Sequence, residues 1–460
     1  MNKKTIEELL TYAISTGADF AELYFEDANQ TVYKLISSKL DNISTLNSRG
    51  VGIRISKGSK IYYAATNIIR KNKIKELIYN IIKNIDGASN KKIILQRKKT
   101  FKPKIEIPHR IFPLEEKKAK LLEIDKIARK QSKLISQVSS NILEIDRNYT
   151  IANSNGKYVS NTQVLTRLYT TVYAEKGEKK EKEYIDYAAS KGYEILKDID
   201  FNNDIIKIAN TAIEKLDAKY IKGGSLPIII NNGFGAIIFH EACGHGLEAT
   251  SVATNSSVFS KLIGEKIASE KVTLIDDGTI PEQWGTNFID DEGNKTQRNI
   301  LIEKGILQNY LVDSLNSKKM NQSSNGCGRR ESYEYAPTSR MSNTYLAPGT
   351  DKKEDMIKSI KLGIYCEKMS GGVVQPITGD FNFAVDTAWL IEDGKISHRV
   401  KGITLIGNSK EILKNVEMVS SDLKLAAGFC GSKSGLIPVT VGQPTIKVSE
   451  ILVGGKSDAI

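Results

Sequence analysis

A change in side-chain periodicity near residue 223 is the feature that most constrains the fold of this chain. From Gly224 onward, short apolar runs alternate with glycine turns and isolated prolines, and helix signals are few, a pattern typical of β-rich domains. Before that point, amphipathic helices are interleaved with stretches of twofold alternation, which predict half-buried antiparallel strands. The sequence therefore predicts an α+β fold with two domains. Residues 1–222 form a mixed antiparallel sheet-and-helix domain, and residues 223–460 form a β-rich, barrel-like domain.

Four segments of the N-terminal half have the apolar spacing of amphipathic helices. The first opens with Thr5–Glu8, which has the pattern of a capping box and predicts a helix through Ile14. The other helices are predicted over Lys73–Asn84, Pro113–Ser132 and Asp204–Ala218.

Short strands are predicted between these helices, among them Ala21–Glu26 and Thr31–Ile36. Asn155-Gly156 lies between two apolar runs and is the strongest hairpin signal in the chain. We therefore expect an antiparallel sheet in the N-terminal half.

Composition excludes several classes of protein. Of the 460 residues, 40% are hydrophobic and 26% are charged, which is ordinary globular usage and excludes wholesale disorder. No apolar run is long enough to span a membrane, and Glu7 and Glu8 interrupt the place where a signal peptide would be apolar. Four cysteines cannot form a disulfide framework. We expect a cytoplasmic protein without a membrane partner.

The net charge of +12 is concentrated in one window. Residues 70–104 contain twelve basic residues, opposed by Glu76 and Asp86 alone. The window lacks the interleaved aromatic residues on which single-stranded nucleic acids stack. We therefore interpret it as a solvated helix and loop, and do not expect a nucleic-acid partner.

The sequence His240-Glu241-Ala-Cys-Gly-His245 is the strongest candidate for chemistry. Two histidines with a glutamate beside the first form the pattern by which helical metallopeptidases bind zinc and hold a general base. Five residues on an ideal helix correspond to a rotation of about 140°, so the histidines converge only if the helix widens or ends between them. Gly244 and Gly246 permit such a break. The alternative is a pair of structural histidines with a solvated Glu241.

A catalytic zinc site needs a third protein ligand, and two cysteines compete for this role. Cys243 is three residues from His240 and lies on the same side of a helix. Cys430 lies in a glycine-rich segment that would allow close backbone approach. The residues alone leave this choice open, whereas Cys327 and Cys366 are interpreted as structural.

Several other polar residues could have either a functional or a structural role. Asp290–Glu292 could bind a divalent cation, although a solvated turn is favoured, and Arg329-Arg330 could hold a substrate carboxylate or pair internally. Glu248 could orient His245 or lie on the surface. The remaining histidines, His109 and His398, have no acidic or cysteine partner at ligand spacing and are interpreted as ordinary surface or core residues.

Four segments of the chain resemble the TldD/PmbA family, and the likeness covers essentially the whole sequence. The segments are Leu226–Glu248, Gly328–Tyr333, Arg340–Tyr345 and Ala427–Thr445. The chain is similar to the TldD type, which keeps the H-E-x-x-x-H motif. The resemblance implies that His240, His245 and Cys430 are zinc ligands and that Glu241 is the catalytic base. Ala249-Thr250 departs from the Gly-Asp that the family pattern leads us to expect.

The resemblance also implies a function. It implies a zinc metallopeptidase that hydrolyses unfolded or short peptides with a zinc-bound water activated by Glu241, inside a large cavity. It further implies a dimer, either with itself or with a paralogue that lacks the motif. The alternative is a non-catalytic regulator that binds peptides or a partner, of the gyrase or toxin–antitoxin modulator type. Substrate-binding residues are not predicted.

Overall fold

The computed structural model describes residues 1–197 and 199–455, and the fold is α+β as the sequence predicts. In the N-terminal half the helices are α1 (Lys3–Ile14), α2 (Lys71–Ile82), α3 (Leu114–Gln131) and α4 (Phe201–Lys215). The strands there are β1 (Phe20–Ile36), β2 (Lys39–Lys57), β3 (Lys60–Thr66), β4 (Lys99–Phe101), β5 (Ile135–Asn153), β6 (Tyr158–Lys176) and β7 (Lys179–Ala189).

The four predicted helices are confirmed, with bounds that differ by at most three residues. The prediction that Thr5 is the N-cap of α1 is wrong, because the N-cap is Asn2. The side chain of Asn2 accepts the Thr5 N–H at 2.9 Å, so Thr5 lies inside the helix rather than at its start. Asn2 has extended backbone angles and a side-chain acceptor, the two properties that an N-cap requires.

The N-terminal sheet has the strand order β3-β2-β1-β5-β6-β4, with β7 paired to β6. The runs that predict two short strands, Ala21–Glu26 and Thr31–Ile36, form one strand, because β1 is hydrogen-bonded to β2 and β5 along both edges. The Asn155-Gly156 hairpin is confirmed between β5 and β6, with Gly156 at a φ of +82°. Helices α1 and α2 pack against β1 and β2, and α3 and α4 pack against β5 and β6.

The C-terminal half is built from short helices and many strands. Its helices are α5 (Ile237–Phe239), α6 (Ala249–Val252), α7 (Ser314–Met320), α8 (Lys353–Lys358) and α9 (Ser409–Lys414). After β8 (Lys219–Tyr220), its strands are β9 (Gly224–Ile230), β10 (Leu274–Asp277), β11 (Arg298–Glu303), β12 (Ile306–Leu307), β13 (Gly328–Arg329), β14 (Thr338–Ser339), β15 (Asn343–Leu346), β16 (Leu362–Val374), β17 (Asp380–Glu392), β18 (Lys395–Lys401), β19 (Ile403–Asn408), β20 (Val416–Val419), β21 (Lys424–Ser432), β22 (Gly435–Gln443) and β23 (Ile446–Gly454).

Two sheets organise this half. Strands β16, β9, β23, β19 and β17 pair in a ring and close a barrel. A second sheet has the order β12-β11-β10-β15-β22-β21, which places β21 at its edge. The barrel strand β9 leads directly into the His240 segment, and the edge strand β21 carries Cys430. This topology brings two distant parts of the chain to one place.

Buried charges join the two halves. Arg54 of β2 binds Glu22 at 2.8 Å and Glu292 at 2.6 Å, and Arg330 binds Glu22 at 2.7 Å. A third arginine, Arg147, lies 3.0 Å from Glu26 and 3.3 Å from Asp291. We name the residues Glu22, Glu26, Arg54, Arg147, Asp291, Glu292 and Arg330 the seam network.

The structure corrects the interpretation of Asp290–Glu292 as a solvated turn. Each of these three residues is at most 2% exposed. Their loop covers N-terminal strands that carry arginines, so Asp291 and Glu292 meet opposite charges instead of water. Arg330 also pairs internally, with Glu22.

Among residues 1–197 and 199–455, no helix is both long enough and apolar enough to cross a bilayer.

Candidate metal centre

The backbone between His240 and His245 forms a widened helical turn. Residues His240–Gly244 are a π-helix, and the His245 N–H donates to the His240 carbonyl, an i→i+5 bond. Such bonding stacks residues five apart on one side of the helix. Of the two ways in which the spacing allows convergence, the helix uses widening. The turn then continues as a 3₁₀ helix, His245–Leu247.

The glycines beside His245 are required by close packing. A side chain at Gly244 would collide with Met341, and one at Gly246 would contact the Phe259 ring at 2.7 Å. The widened turn is therefore held tightly between neighbouring elements.

Two imidazoles and one thiol converge. The Nε2 atoms of His240 and His245 each lie 3.3 Å from the Sγ of Cys430. The imidazole rings are 5.1 Å apart and nearly perpendicular. Among residues 1–197 and 199–455, these three side chains are the group whose donor atoms could hold a metal ion, all within 4.8 Å of one another. We name His240, His245 and Cys430 the donor group.

The donor group fits zinc by element and by spacing. A tetrahedral zinc ion with nitrogen ligands at about 2.0–2.1 Å and a sulfur ligand at about 2.3 Å separates nitrogen from sulfur by roughly 3.5 Å. The observed separations of 3.3 Å are close to this value. Three protein ligands would leave one coordination position of such an ion open, as catalytic zinc sites do.

Electrostatics favour the thiolate form of Cys430. Burial opposes its ionisation, but the charges and hydrogen bonds of His240 and His245 outweigh burial and lower the pKa of the thiol to about 3. The thiolate is the form that ligates metals. Cys430 in turn affects His245. Burial lowers the pKa of the His245 imidazole, but Glu248 and Cys430 outweigh burial and raise it well above the ordinary value.

Glu248 orients His245. Its Oε2 lies 3.1 Å from His245 Nδ1, which leaves Nε2 directed at Cys430. A carboxylate on the far nitrogen fixes the tautomer and the ring orientation of a ligating histidine. The structure thus favours the orienting role for Glu248 over a surface role, since the residue is also buried.

Glu241 lies at the rim of the donor group. Its Oε2 is 3.7 Å from His245 Nε2, and its side chain is 24% exposed. The Glu241 side chain therefore lies next to His245 and is partly open to solvent.

The structure separates the two competing cysteines. Cys430 joins the donor group, whereas Cys243 faces the hydrophobic core, where burial raises the pKa of its thiol. Cys327 and Cys366 are also buried core residues. The other two histidines lie outside the donor group. His109 is buried and hydrogen-bonded to Asp146 and Thr166, and His398 is hydrogen-bonded to Ser397.

A cavity of about 550 Å³ opens beside His240 between the two halves. Its walls include Arg167 and Tyr169 of β6, Tyr184 of β7, and successive residues 424–429 of β21. These N-terminal residues were not predicted from the sequence. The available signal was the alternation of β6, which places Arg167 and Tyr169 on one face, but it does not show that this face meets a site more than 70 residues away.

Family models match most of the chain. The PmbA/TldA metallopeptidase domain 1 matches residues 21–84, the central domain matches residues 107–220, and the C-terminal domain matches residues 223–455. The resemblance seen in the sequence is thereby confirmed.

Two relatives support the same assignment, and one solved structure shares the fold. The metalloprotease TldD homolog of Buchnera aphidicola subsp. Schizaphis graminum is 33% identical over 462 residues, covering 98% of this chain and 95% of that protein. The zinc metalloprotease TldD homolog of Saccharolobus solfataricus is 31% identical over 257 residues, covering 56% of this chain and 57% of that protein. The crystal structure of TldE from Thermococcus kodakarensis shares the fold, with a TM-score of 0.78 at 20% identity, covering 98% of this chain and 100% of that one. Because the models and the Buchnera relative span nearly the whole sequence, the chain belongs to the PmbA/TldD family of metallopeptidases.

Proposed function

We propose that this protein is a zinc-dependent peptidase in which His240, His245 and Cys430 hold the metal and Glu241 is the general base. The observation that carries the proposal is the convergence of two imidazoles on the Cys430 sulfur at 3.3 Å, with the Glu241 carboxylate beside them. A zinc ion held there supplies Lewis-acid polarisation of the peptide carbonyl and of the attacking water.

The protein side chains supply the remaining steps. Glu241 accepts a proton from the water and delivers it to the leaving amine, which is general acid–base catalysis by one carboxylate. Glu248 holds the His245 ring in place through Nδ1. The cavity walls beside His240 bind the substrate main chain.

The cavity supports unfolded or short peptides as the substrate class. Successive residues 424–429 line it, so β21 presents its backbone edge, and not only one face, to the cavity. A cavity of about 550 Å³ between the two halves is too small to hold a folded domain. An extended chain fits such a slot because its backbone can hydrogen-bond to the edge strand.

Location and assembly remain proposals that the sequence supports. We propose a cytoplasmic protein, since its cysteines are free within the described ranges and a reducing compartment preserves free thiols. We also propose a dimer, either of two identical chains or with a motif-lacking paralogue. Light scattering of the purified chain, alone and with that paralogue, measures the assembly.

The experiment that tests the function compares Glu241→Gln with the unchanged protein. We expect about one zinc per chain in both by plasma emission, and a loss of unstructured-peptide hydrolysis of about 10²–10⁴-fold in the variant. Glu270→Gln, an exposed glutamate outside the donor group, is the control and should keep full activity.

Retained turnover in Glu241→Gln would reject Glu241 as the base. Zinc binding without any turnover in the unchanged protein would instead favour the non-catalytic, peptide-binding or partner-binding regulator.

A further inference from the structure

Arg340 is a fully buried cation beside the donor group. Its side chain is 0% exposed, which is rare for an arginine unless it is paired. One guanidinium nitrogen, Nη2, donates to the Cys430 carbonyl at 2.5 Å. The other, Nη1, donates to Ser434 Oγ at 3.0 Å and to the Gly435 carbonyl at 3.1 Å. All these acceptors are neutral and belong to the strand pair that carries Cys430.

The third nitrogen of Arg340 points to the histidine side of the donor group. Its Nε lies 3.9 Å from Glu248 Oε1, and both atoms are buried without a hydrogen-bond partner among the described residues. The other oxygen of Glu248 binds His245 Nδ1. A single guanidinium therefore lies between the carboxylate that holds His245 and the strand that carries Cys430.

Neighbouring residues fix the place of Arg340. On one side, Ser339 Oγ accepts the Thr250 N–H at 2.9 Å. On the other side, Met341 packs so closely against Gly244 that no side chain fits there. The segment thus contacts the chain before and after His245, which leaves the guanidinium little freedom to move.

We propose that Arg340 is a positioning residue that sets the separation of the histidine and thiolate donors before the metal binds. The inference rests on the proposed function of the donor group. The guanidinium is a rigid planar fork, so it can contact the Cys430 strand and Glu248 at once. Without it, the buried Glu248 carboxylate loses its nearest arginine and the Cys430 strand loses a main-chain hydrogen bond.

Arg340→Lys tests the fork, because lysine keeps the charge and lacks the planar donors. We expect the zinc affinity, measured by competition with a chromophoric chelator, to fall by about 10–100-fold, the typical effect of losing an outer-shell contact. With cobalt in place of zinc, we expect a changed thiolate-to-metal charge-transfer band. The control is Arg330→Lys, another fully buried arginine, which pairs with Glu22 in the seam network and should keep the zinc affinity.

A double-variant cycle separates positioning from general destabilisation. If Arg340 acts through Glu248, combining Arg340→Lys with Glu248→Gln should weaken zinc binding by less than the product of the two single effects. If the loss of zinc affinity in the double variant equals the product of the two single losses, Arg340 does not act through Glu248.

Each outcome has one meaning. If the unchanged protein binds no zinc, the proposed function fails. If it binds zinc and Arg340→Lys binds equally well, this inference alone fails. If circular dichroism shows that Arg340→Lys does not fold, Ser434→Ala removes one acceptor of Nη1. An unchanged zinc affinity and cobalt spectrum in that variant would likewise overturn the inference.

Discussion

The seam network and the donor group both bury polar and charged side chains, but they differ in how the charges are balanced. In the seam network, carboxylates meet arginines at 2.6–3.3 Å, for example Glu292 with Arg54 and Asp291 with Arg147. In the donor group, two imidazole nitrogens and one cysteine sulfur, all possible metal ligands, lie within 4.8 Å of one another without a carboxylate–arginine pair among them. Burial of charge alone therefore does not identify a functional site. The difference is whether the protein's own groups complete the interaction or leave a place for a ligand.

The largest expected effect comes from removing the thiolate. Cys430→Ser should lose most zinc and all peptidase activity, because two neutral imidazoles alone hold zinc poorly. Chelator should then have little further effect on the melting temperature. In the unchanged protein, a zinc ion held by the donor group would join the His240 segment to β21, 190 residues later, and should stabilise the C-terminal half.

Cys243→Ser is the matched control for that variant. It replaces a buried thiol on the same helical turn that lies outside the donor group, so zinc and activity should be retained. Zinc lost from Cys243→Ser and kept in Cys430→Ser would show that the motif is self-contained.

Breaking the seam network should change stability without changing zinc content. Arg54→Met leaves Glu22 and Glu292 buried without this partner, and such losses destabilise by about 3–5 kcal/mol. Urea unfolding measures the change. Arg49→Met, on the same strand but in an exposed pair with Asp27, should change stability by no more than about 0.5 kcal/mol. Equal effects of the two variants would contradict the role of the seam.

The titration of Cys430 in the metal-free protein tests whether the donor group stabilises a thiolate. Because the pKa of Cys430 is lowered to about 3, its thiolate absorbance should persist from neutral pH down to about pH 4, far below the ordinary thiol pKa of about 8.5. Ultraviolet difference spectra between the unchanged protein and Cys430→Ser measure this absorbance. A transition near pH 8–9 would show that the two imidazoles do not stabilise the thiolate.

The smallest effect is expected in the basic window. Changing Arg97, Lys98 and Lys99 together to Ser should leave fold and activity intact, because these side chains have no carboxylate partner in the described part of the chain. Binding to duplex DNA is measured at two salt concentrations. A steep, salt-dependent affinity that disappears in the triple variant would contradict a solvated surface.

Local patterns were enough to predict the four helices of the N-terminal half, the Asn155-Gly156 hairpin and a departure from ideal helix geometry between His240 and His245. Each depends on residues close in sequence, so periodicity and glycine spacing carry the information. The resemblance supplied Cys430, because no local pattern connects a residue of β21 with a turn 190 residues earlier.

The seam network was missed for a physical reason. Asp290–Glu292 is a run of three acids followed by Gly293-Asn294, which is the composition of a solvated turn. Its burial depends on Arg54 and Arg147, which come from separate strands, and on Arg330, which follows β13, and all three meet it only in the folded chain. The cavity walls of β6 and β7 were missed because their contact with β21 is likewise tertiary.

X-ray absorption at the zinc edge tests the central claim most directly. On zinc-loaded protein, we predict a first coordination shell with one sulfur and two imidazole nitrogens, unchanged in Cys243→Ser. A shell without sulfur, or a sulfur signal that disappears in Cys243→Ser, would contradict the assignment of His240, His245 and Cys430 as the metal ligands.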